Sequence, residues 1–290
     1  MLTHLNMKKI AIITDTDSSL PADTAARCGI LQVPITINFP DATYTTGADI
    51  DDRRLFELID RHNKLPPTAA PTPGAFISAF QAAFQNGAET VVCLCVSSKV
   101  SGTFNSANTA QAEFPGKDIT VIDSLNLSMG LGFMAVAAAE AAQAGADKEE
   151  VVHQALETGQ RTHTYVALST LKYLAMGGRV GKLAAGMADT LSIKALLTVK
   201  EGSLELLERV RTRRKAMERV LELASAAAAG KHIQRLAILH VTNLAEAQEF
   251  QAQLSAAVAC PPDTQMVELT PGLSVHGGAG AVGMTLVTDS

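Results

Sequence analysis

Segments rich in hydroxyl side chains follow apolar runs at three places in the first half of the chain. They cover residues 14–19, 97–103 and 124–128. Each apolar run has the continuous hydrophobicity of a strand buried on both faces, so we predict that a strand ends where each polar segment begins. Hydroxyl groups beside the N-terminus of a following helix suit a carboxylate or a phosphate. Hydroxyls also cap helices, and for Ser101 and Thr103 the two roles are compatible.

A histidine near the end of the sequence lies among small residues. His276 has Ser274 before it, and Gly277 and Gly278 follow it directly. The segment joins two strand-like runs, so we predict a loop. A lone loop histidine is ordinarily a solvent-exposed residue, but a glycine-rich loop lets the backbone press against a ligand. His276 is therefore a candidate binding residue.

Two glycine-rich motifs resemble phosphate-binding loops but fail on their context. Residues 278–283 read GAGAVG, a literal G-x-G-x-x-G, which in a dinucleotide-binding domain follows a strand and opens a helix. Here a strand-like run follows the motif. Residues 177–182 read GGRVGK, one residue short of a phosphate loop, and Leu183 stands where serine or threonine is required. Neither motif predicts a nucleotide site.

A hydrolase is the alternative interpretation of the same polar residues. Ser101, His276 and either Asp15 or Asp123 have the side chains of a Ser-His-acid set, which would act on an acyl substrate in an α/β hydrolase-like enzyme. The G-x-S-x-G nucleophile elbow expected of that class is missing. The seven histidines include no H-E-x-x-H and no paired Cys/His spacing, so we expect no metal site and no cofactor.

Positive charge is concentrated at two places. Arg179 lies between Gly178 and Val180, and residues 209–215 read RVRTRRK, with Arg211 inside the run. A charge run of this kind is either a solvated face or a patch for an acidic partner or a phosphate, which the arginine fork matches. Both readings stay open.

The elements that must position these residues change character near residue 160. Before it, strands and helices alternate, which favours βαβ units and a parallel sheet that binds ligands at the carboxyl ends of its strands. After it, alternating strands include a pair joined by a turn at Glu201 and Gly202, which favours an antiparallel sheet with helices. We predict an α/β protein with a mostly parallel N-terminal domain over 1–158 and a mixed or antiparallel α+β domain over 159–290.

Composition narrows the classes of partner. The 290 residues carry 24 Lys+Arg and 29 Asp+Glu, a net charge of −5, which disfavours nucleic acid and anionic membranes. No uncharged stretch reaches the ~18–20 apolar residues of a membrane span. No signal-peptide apolar region follows Lys9, and four cysteines are too few for a disulfide framework. We expect a cytoplasmic protein without stable membrane insertion.

Seven motifs follow one another over nearly the whole chain. They are Thr14-Asp15-Thr16 with Leu20-Pro21, Thr68…Pro71, residues 97–104 (SSKVSGTF), Asp123…Ser128-Met129-Gly130-Leu131-Gly132, Leu171-Lys172-Tyr173-Leu174 with Gly177-Gly178-Arg179-Val180, Arg211-Thr212-Arg213, and His276…Gly280…Gly283. Together they resemble the DegV family of bacterial fatty-acid-binding proteins, the acyl-carrying subunits of fatty acid kinase.

The resemblance implies a long-chain fatty acid held between the two domains. Its carboxyl group would bind Thr68, Ser101 and His276. Secondary candidates beside these residues are Ser97, Ser98, Gly277 and Gly278. The family pattern has Ser-Gln where this chain has Ala69-Ala70, a departure beside the expected carboxyl site.

The resemblance also implies a carrier rather than a catalyst. The protein would present its fatty acid to a separate ATP-binding kinase subunit, which forms the acyl phosphate. Arg179 and Arg211 would then dock the kinase subunit or assist phosphate transfer.

Overall fold

The computed structural model of the protein describes residues 9–178 and 194–289. Its first elements are β1 (Ile10–Asp15), α1 (Ala22–Cys28), β2 (Ile30–Val33), β3 (Thr36–Asn38), β4 (Thr43–Thr45), α2 (Asp52–His62), β5 (Thr68–Ala69), α3 (Pro73–Gln85), β6 (Thr90–Cys95), α4 (Thr103–Gln111), β7 (Asp118–Asp123), α5 (Met129–Gln143) and α6 (Lys148–Gln160). They continue with β8 (Thr162–Leu168), α7 (Lys172–Met176), β9 (Lys194–Lys200), β10 (Ser203–Val210), α8 (Arg213–Ala228), β11 (Ile233–His240), α9 (Leu244–Ala257), β12 (Gln265–Glu268), α10 (Pro271–Gly277) and β13 (Val282–Thr288). A 3-10 turn at Thr16–Ser18 follows β1 directly.

The first large sheet contains parallel strands in the order β2-β1-β6-β7. Successive residues of a strand point to opposite faces. Ile12 of β1 packs into a core with residues of α5, whereas Ile13 packs into a second core with Phe76 and Phe80 of α3. Helices therefore cover both faces, which is why most residues of these strands are apolar.

The second large sheet has the order β10-β9-β8-β13-β11-β12, antiparallel except where β11 pairs with β12. Ile238 and its neighbours on one face pack against α8 and α9, and Leu239 on the other face joins the core that contains α5. The predicted α/β class, with a parallel sheet first and a mixed sheet second, is confirmed. The domain boundary after residue 158 stays a prediction; α6 ends at Gln160 and β8 begins at Thr162.

Helix α5 contacts strands of both large sheets. Residues 129–139 of this helix are all buried. Its alanines and glycines have little side-chain volume, so the helix fits closely between its neighbours. At Gly132, a Cβ would lie 2.9 Å from the backbone oxygen of Ser18, so glycine is required there.

Three segments differ from the structures that their residues predict. The apolar pattern of residues 30–39 predicts one extended run, but the run breaks at Pro34, so that β2 joins the parallel sheet while β3 forms a small antiparallel sheet with β4 and β5. Residues 65–74 contain four prolines, which predict a long loop, yet strand β5 lies inside this stretch. The glycine-rich segment around His276 was expected to be a loop but begins with helix α10. Pro271 starts this helix, and the N–H groups of Leu273 and Ser274 donate to the Thr270 carbonyl.

A buried carboxylate joins the ends of β1 and β6. Asp15 is fully buried, and its two oxygens accept hydrogen bonds from the N–H groups of Asp17, at 2.9 Å, and Val96, at 2.7 Å. Burial raises the pKa of Asp15 to about 7, although both hydrogen bonds lower it. The carboxyl group thus holds two polar loops together at the carboxyl edge of the sheet.

The β9–β10 hairpin reaches across to the parallel sheet. Its turn lies at Glu201 and Gly202, as predicted, and the Ser97 hydroxyl donates a hydrogen bond of 2.7 Å to the Gly202 carbonyl. Gly202 has φ +80°, and a Cβ there would lie 2.4 Å from Ser97 Oγ and 2.9 Å from Leu125 Cδ2. Both the backbone conformation and the close approach require glycine.

Asp15 is expected to make the protein less stable as the pH rises from about 4 to about 7. In the unfolded chain this carboxyl group has its ordinary pKa of 3.8, whereas in the folded chain its pKa is about 7, so the folded state binds more protons in this window. The free energy of unfolding should fall by at most about 1.4 kcal/mol per pH unit through this group. Urea unfolding of wild type and Asp15→Asn measures the effect. Parallel pH profiles of the two proteins would contradict it.

Gly202→Ala is expected to destabilise the protein through the hairpin contact. Gly230→Ala is the matched control, because Gly230 has φ +72° but nothing within 4 Å of an added Cβ. Both variants carry the cost of an alanine at positive φ, so their difference measures the lost packing. We expect Gly202→Ala to lose about 1–3 kcal/mol more than the control in urea unfolding. Equal losses would mean that the hairpin tip does not contribute to stability.

Candidate functional site

A cavity of about 990 Å³, including its opening, lies between the two large sheets. Its apolar wall includes Val166, Leu197, Leu204 and Leu239 from the mixed sheet, facing Ile35, Val100 and Leu127 from the N-terminal half. Its polar lining residues are Asp17, Thr68, Ser101, Ser128, Thr164, Thr198 and His276. Its mostly apolar wall, with a few polar side chains at one part of the lining, suits an apolar ligand that carries a polar group.

The structure brings Thr68 and His276 into direct contact. Thr68 lies in β5, which pairs with β3, and His276 lies in the last turn of α10. The distance from Thr68 Oγ1 to His276 Nε2 is 3.3 Å, although the two residues are 208 positions apart. Both side chains are partly exposed and line the cavity. A hydroxyl and an imidazole side by side form a polar corner suited to an anionic oxygen.

Ser101 lines the same cavity from the start of α4. Its Oγ lies 2.8 Å from Thr103 Oγ1 and accepts a hydrogen bond of 3.3 Å from the Thr103 N–H. The residue at the helix boundary, Gly102, has no side chain to cap the helix, so Ser101 takes that role. Capping and exposure to the cavity thus coincide in one residue. All three residues expected to bind a carboxyl group lie in the cavity wall.

The four secondary candidates for ligand binding differ in whether they line the cavity. Gly277 lines the cavity, and a Cβ there would meet nothing within 4 Å. Ser97 is buried outside the cavity wall and bonds to the hairpin, and Ser98 is exposed, with its N–H donating to Asp123 Oδ1 at 3.0 Å. Gly278 also lies outside the wall and packs against Tyr173. Ligand contact by these residues stays a prediction, which the geometry favours only for Gly277.

The first glycine of the GGRVGK motif supports His276. A Cβ at Gly177 would lie 2.3 Å from His276 Nδ1, so only glycine lets the end of α7 approach the imidazole. Sequence reasoning rejected this motif as a phosphate loop but did not find this role. A glycine in the sequence can indicate a close backbone contact, but it does not indicate which residue makes that contact. Here the contacting residue, His276, is 99 positions away from Gly177.

Other lining residues were missed by sequence reasoning. Asp17 and Ser128 belong to the polar segments singled out from sequence, and the Ser128 N–H donates to the Asp17 carbonyl at 2.7 Å. Thr164 and Thr198 lie on strands, and their hydroxyls bond to Thr285 and to the Thr164 carbonyl. Threonine is common in strands, so no sequence signal distinguishes these two from ordinary sheet residues.

The basic residues fall into different settings. Arg179 lies outside the described residues. Arg211 is exposed in the short connection between β10 and α8. Arg213, by contrast, forms two hydrogen bonds to Glu246, at 2.7 and 3.0 Å, and two more to the backbone carbonyls of Ala167 and Gly280. The run therefore contains at least one arginine with a structural role and one whose side chain is exposed.

The candidate members of a Ser-His-acid set have other partners in the structure. Ser101 Oγ is paired with Thr103, and Asp15 is engaged by two backbone N–H groups. Asp123 accepts from the N–H groups of Ser98 and Leu125.

Within residues 9–178 and 194–289, no cluster of three or more His, Cys, Asp or Glu side chains is arranged to hold a metal ion. No helix in these ranges is long and apolar enough to cross a membrane.

Comparison with known proteins identifies close relatives over the whole length. A DegV domain-containing protein of Streptomyces coelicolor is 33% identical over 279 residues, which are 96% of this chain and 98% of that protein. A DegV domain-containing protein of Mycobacterium bovis is 36% identical over 282 residues, or 95% and 96% of the two chains.

Solved structures of similar proteins share the fold. A DegV family protein from Thermus thermophilus, described by its fatty acid binding, superposes with a TM-score of 0.91 at 30% identity, over 97% of this chain and 100% of that one. DegV of Bacillus subtilis, a fatty acid binding protein, gives 0.87 at 26% identity over the same shares. A family model described as an uncharacterised protein of the DegV family matches residues 9–289. The chain therefore belongs to the DegV family.

Proposed function

We propose that the protein binds a long-chain fatty acid in the cavity between its sheets and presents it to a separate ATP-dependent kinase subunit. The carboxyl group would lie at Thr68, Ser101 and His276, and the acyl tail along the apolar wall. The observation that carries the proposal is that these three side chains line one mostly apolar cavity, in which Thr68 and His276 are in direct contact. The fatty acid binding of the Thermus thermophilus and Bacillus subtilis proteins supports it.

The carboxyl group of the fatty acid needs specific hydrogen-bond donors, whereas the tail needs only an apolar wall. Burying a carboxylate without hydrogen-bond partners is very costly, whereas hydrogen bonds to a charged group contribute about 1.5–3 kcal/mol each. Thr68, Ser101 and a protonated His276 would supply three donors. Each of the three is partly exposed, whereas tail-wall residues such as Leu168 and Leu239 are buried. A carboxyl group at this end would stay within reach of a phosphorylating partner.

The tail supplies most of the binding free energy. Burial contributes ~0.8 kcal/mol per methylene group, so a chain of roughly sixteen carbons gives more than ~10 kcal/mol before the costs of association. Leucines and valines of the mixed sheet supply most of the wall, together with Val100 and Leu127 from loops that follow strands of the parallel sheet. We therefore expect lipid to copurify with the protein.

Lipid extraction combined with three variants tests the binding site. Mass spectrometry of an organic extract should find a long-chain fatty acid, and Thr68→Ala, Ser101→Ala and His276→Ala should each weaken fatty acid binding about 5- to 150-fold. Ser98→Ala and His153→Ala are the controls, because Ser98 is exposed outside the wall and His153 has an exposed side chain on α6. The controls should bind as wild type does.

Two outcomes would contradict the carrier proposal. One is the absence of fatty acid from every extract together with no uptake of added acid. The other is turnover of a chromogenic short-chain ester that Ser101→Ala abolishes, because it would establish the hydrolase alternative.

The kinase part of the proposal makes a separate prediction for Arg211. Because this side chain is exposed, Arg211→Ala should leave bound lipid and melting temperature unchanged while slowing kinase-dependent acyl phosphate formation. The defect should shrink at high salt, since charges at a rim act mainly on association. Arg213→Ala is the contrast, with lower stability expected from the loss of its bonds to Glu246. If Arg211→Ala instead lowered the melting temperature, the bound lipid and the rate of acyl phosphate formation to a similar extent, the proposed docking role would be contradicted.

A further inference from the structure

Helix α10, which carries His276, is too short to hold its own position. It has seven residues, and isolated helices of this length are unstable in water. It packs against α2, α7, β3 and the 3-10 turn after β1. One side-chain hydrogen bond ties it to α2: the Ser274 hydroxyl lies 2.7 Å from Asp52 Oδ2. The place of His276 in the cavity wall thus depends on contacts that lie outside the cavity.

Ser274 faces two acceptors at once. Besides Asp52 Oδ2, the backbone oxygen of Leu269 lies 3.3 Å from Ser274 Oγ. A serine hydroxyl carries one proton and can donate to one of them at a time. If Asp52 is protonated on Oδ2, its O–H can donate to Ser274 Oγ while Ser274 donates to Leu269, so both the Ser274 hydroxyl and the Leu269 carbonyl have a partner. If Asp52 is ionised, Ser274 must turn toward it, and Leu269 loses its donor.

The surroundings of Asp52 favour the protonated form. The side chain is 2% exposed, and its Oδ1 has no hydrogen-bond partner among the described residues. Burial raises its pKa to about 8; the Ser274 hydrogen bond lowers it, and Glu268 and Asp51 raise it further. Besides Asp51 and Glu268, the ionisable residues on α10 and on the 3-10 turn and α7 that pack against it are Asp17, Lys172, Tyr173 and His276. No salt bridge to Asp52 is present within the described ranges.

We infer that Asp52 is a positioning residue for the proposed carboxyl site: in its protonated form it anchors helix α10 through Ser274 and so holds His276 against Thr68. The inference rests on the proposed function, because it takes His276 as part of the carboxyl site. Asp52 does not line the cavity, so it would act only through the helix. Ionisation of Asp52 at alkaline pH would keep Ser274 on the carboxylate but would leave the Leu269 carbonyl just before α10 without its donor and bury a charge whose Oδ1 has no hydrogen-bond partner in the described part of the chain. Both changes would destabilise the packing of α10 and weaken binding of the carboxyl group.

Asp52→Asn separates protonation from shape. The amide has the shape of the neutral acid and can donate to Ser274, but it cannot ionise. The quantity to compare is the palmitate ratio, which is the affinity for palmitate divided by the affinity for hexadecan-1-ol. Between pH 7 and pH 9 we expect this ratio to fall about tenfold more in wild type than in Asp52→Asn, which is the effect of one unsatisfied buried hydrogen-bonding group. Glu57→Gln is the control and should follow wild type, because Glu57 is an exposed carboxylate of the same helix that lies 3.8 Å from Arg54. Ser274→Ala should have the low ratio at both pH values.

A second measurement needs no ligand. Hydrogen–deuterium exchange of residues 271–278, corrected for intrinsic rates, should speed up from pH 7 to pH 9 in wild type but not in Asp52→Asn. Should Asp52→Asn not fold, Ser274→Ala gives the same test by exchanging fast at both pH values.

The outcomes separate the inference from the proposed function. Identical pH profiles of wild type and Asp52→Asn in binding would overturn the inference alone, provided that His276→Ala still weakens binding. Faster exchange without an effect on the palmitate ratio would overturn the positioning role. Failure of every protein to bind palmitate would overturn the proposed function, and the exchange measurement would still decide whether Asp52 anchors α10.

Discussion

The contact between Thr68 and His276 is the interaction on which the candidate site depends. It joins a two-residue strand to a seven-residue helix, and neither element would be stable alone. Strand β5 keeps its place through its pairing with β3, and α10 through its packing against α2, α7 and β3. The contact between Thr68 and His276 can therefore form only when the N-terminal and C-terminal segments that carry them are packed against each other.

Sequence reasoning succeeded where a pattern is local. Continuous apolar runs identified β1, β6 and β7, and the turn at Glu201 and Gly202 identified the β9–β10 hairpin. It failed for α10, because the glycines around His276 mask a helix that a proline starts and tertiary contacts stabilise. Likewise, nothing in the local sequence marks the two-residue strand β5, whose only reason to be extended is its pairing with β3.

The polar residues that line the cavity could be predicted better than the contacts that hold them in place. Thr68, Ser101 and His276 follow from the family resemblance, and all three line the cavity. The residues that hold them were not foreseen. Gly177 makes room for the imidazole, and Asp52 reaches α10 from the first turn of α2. Such supporting contacts join distant segments, so the spacing of residues along the chain contains no trace of them.

The position of β13 has a consequence for how the protein is made. This strand is the last of the described strands in chain order, yet it lies between β8 and β11 in the middle of the mixed sheet. Until the ribosome has released it, β10-β9-β8 and β11-β12 remain two separate pieces with unpaired edges, which other chains can join. The parallel sheet, by contrast, has all its strands by residue 123. A nascent chain therefore passes through an interval in which the parallel sheet can form while the mixed sheet, which supplies part of the cavity wall, is still incomplete.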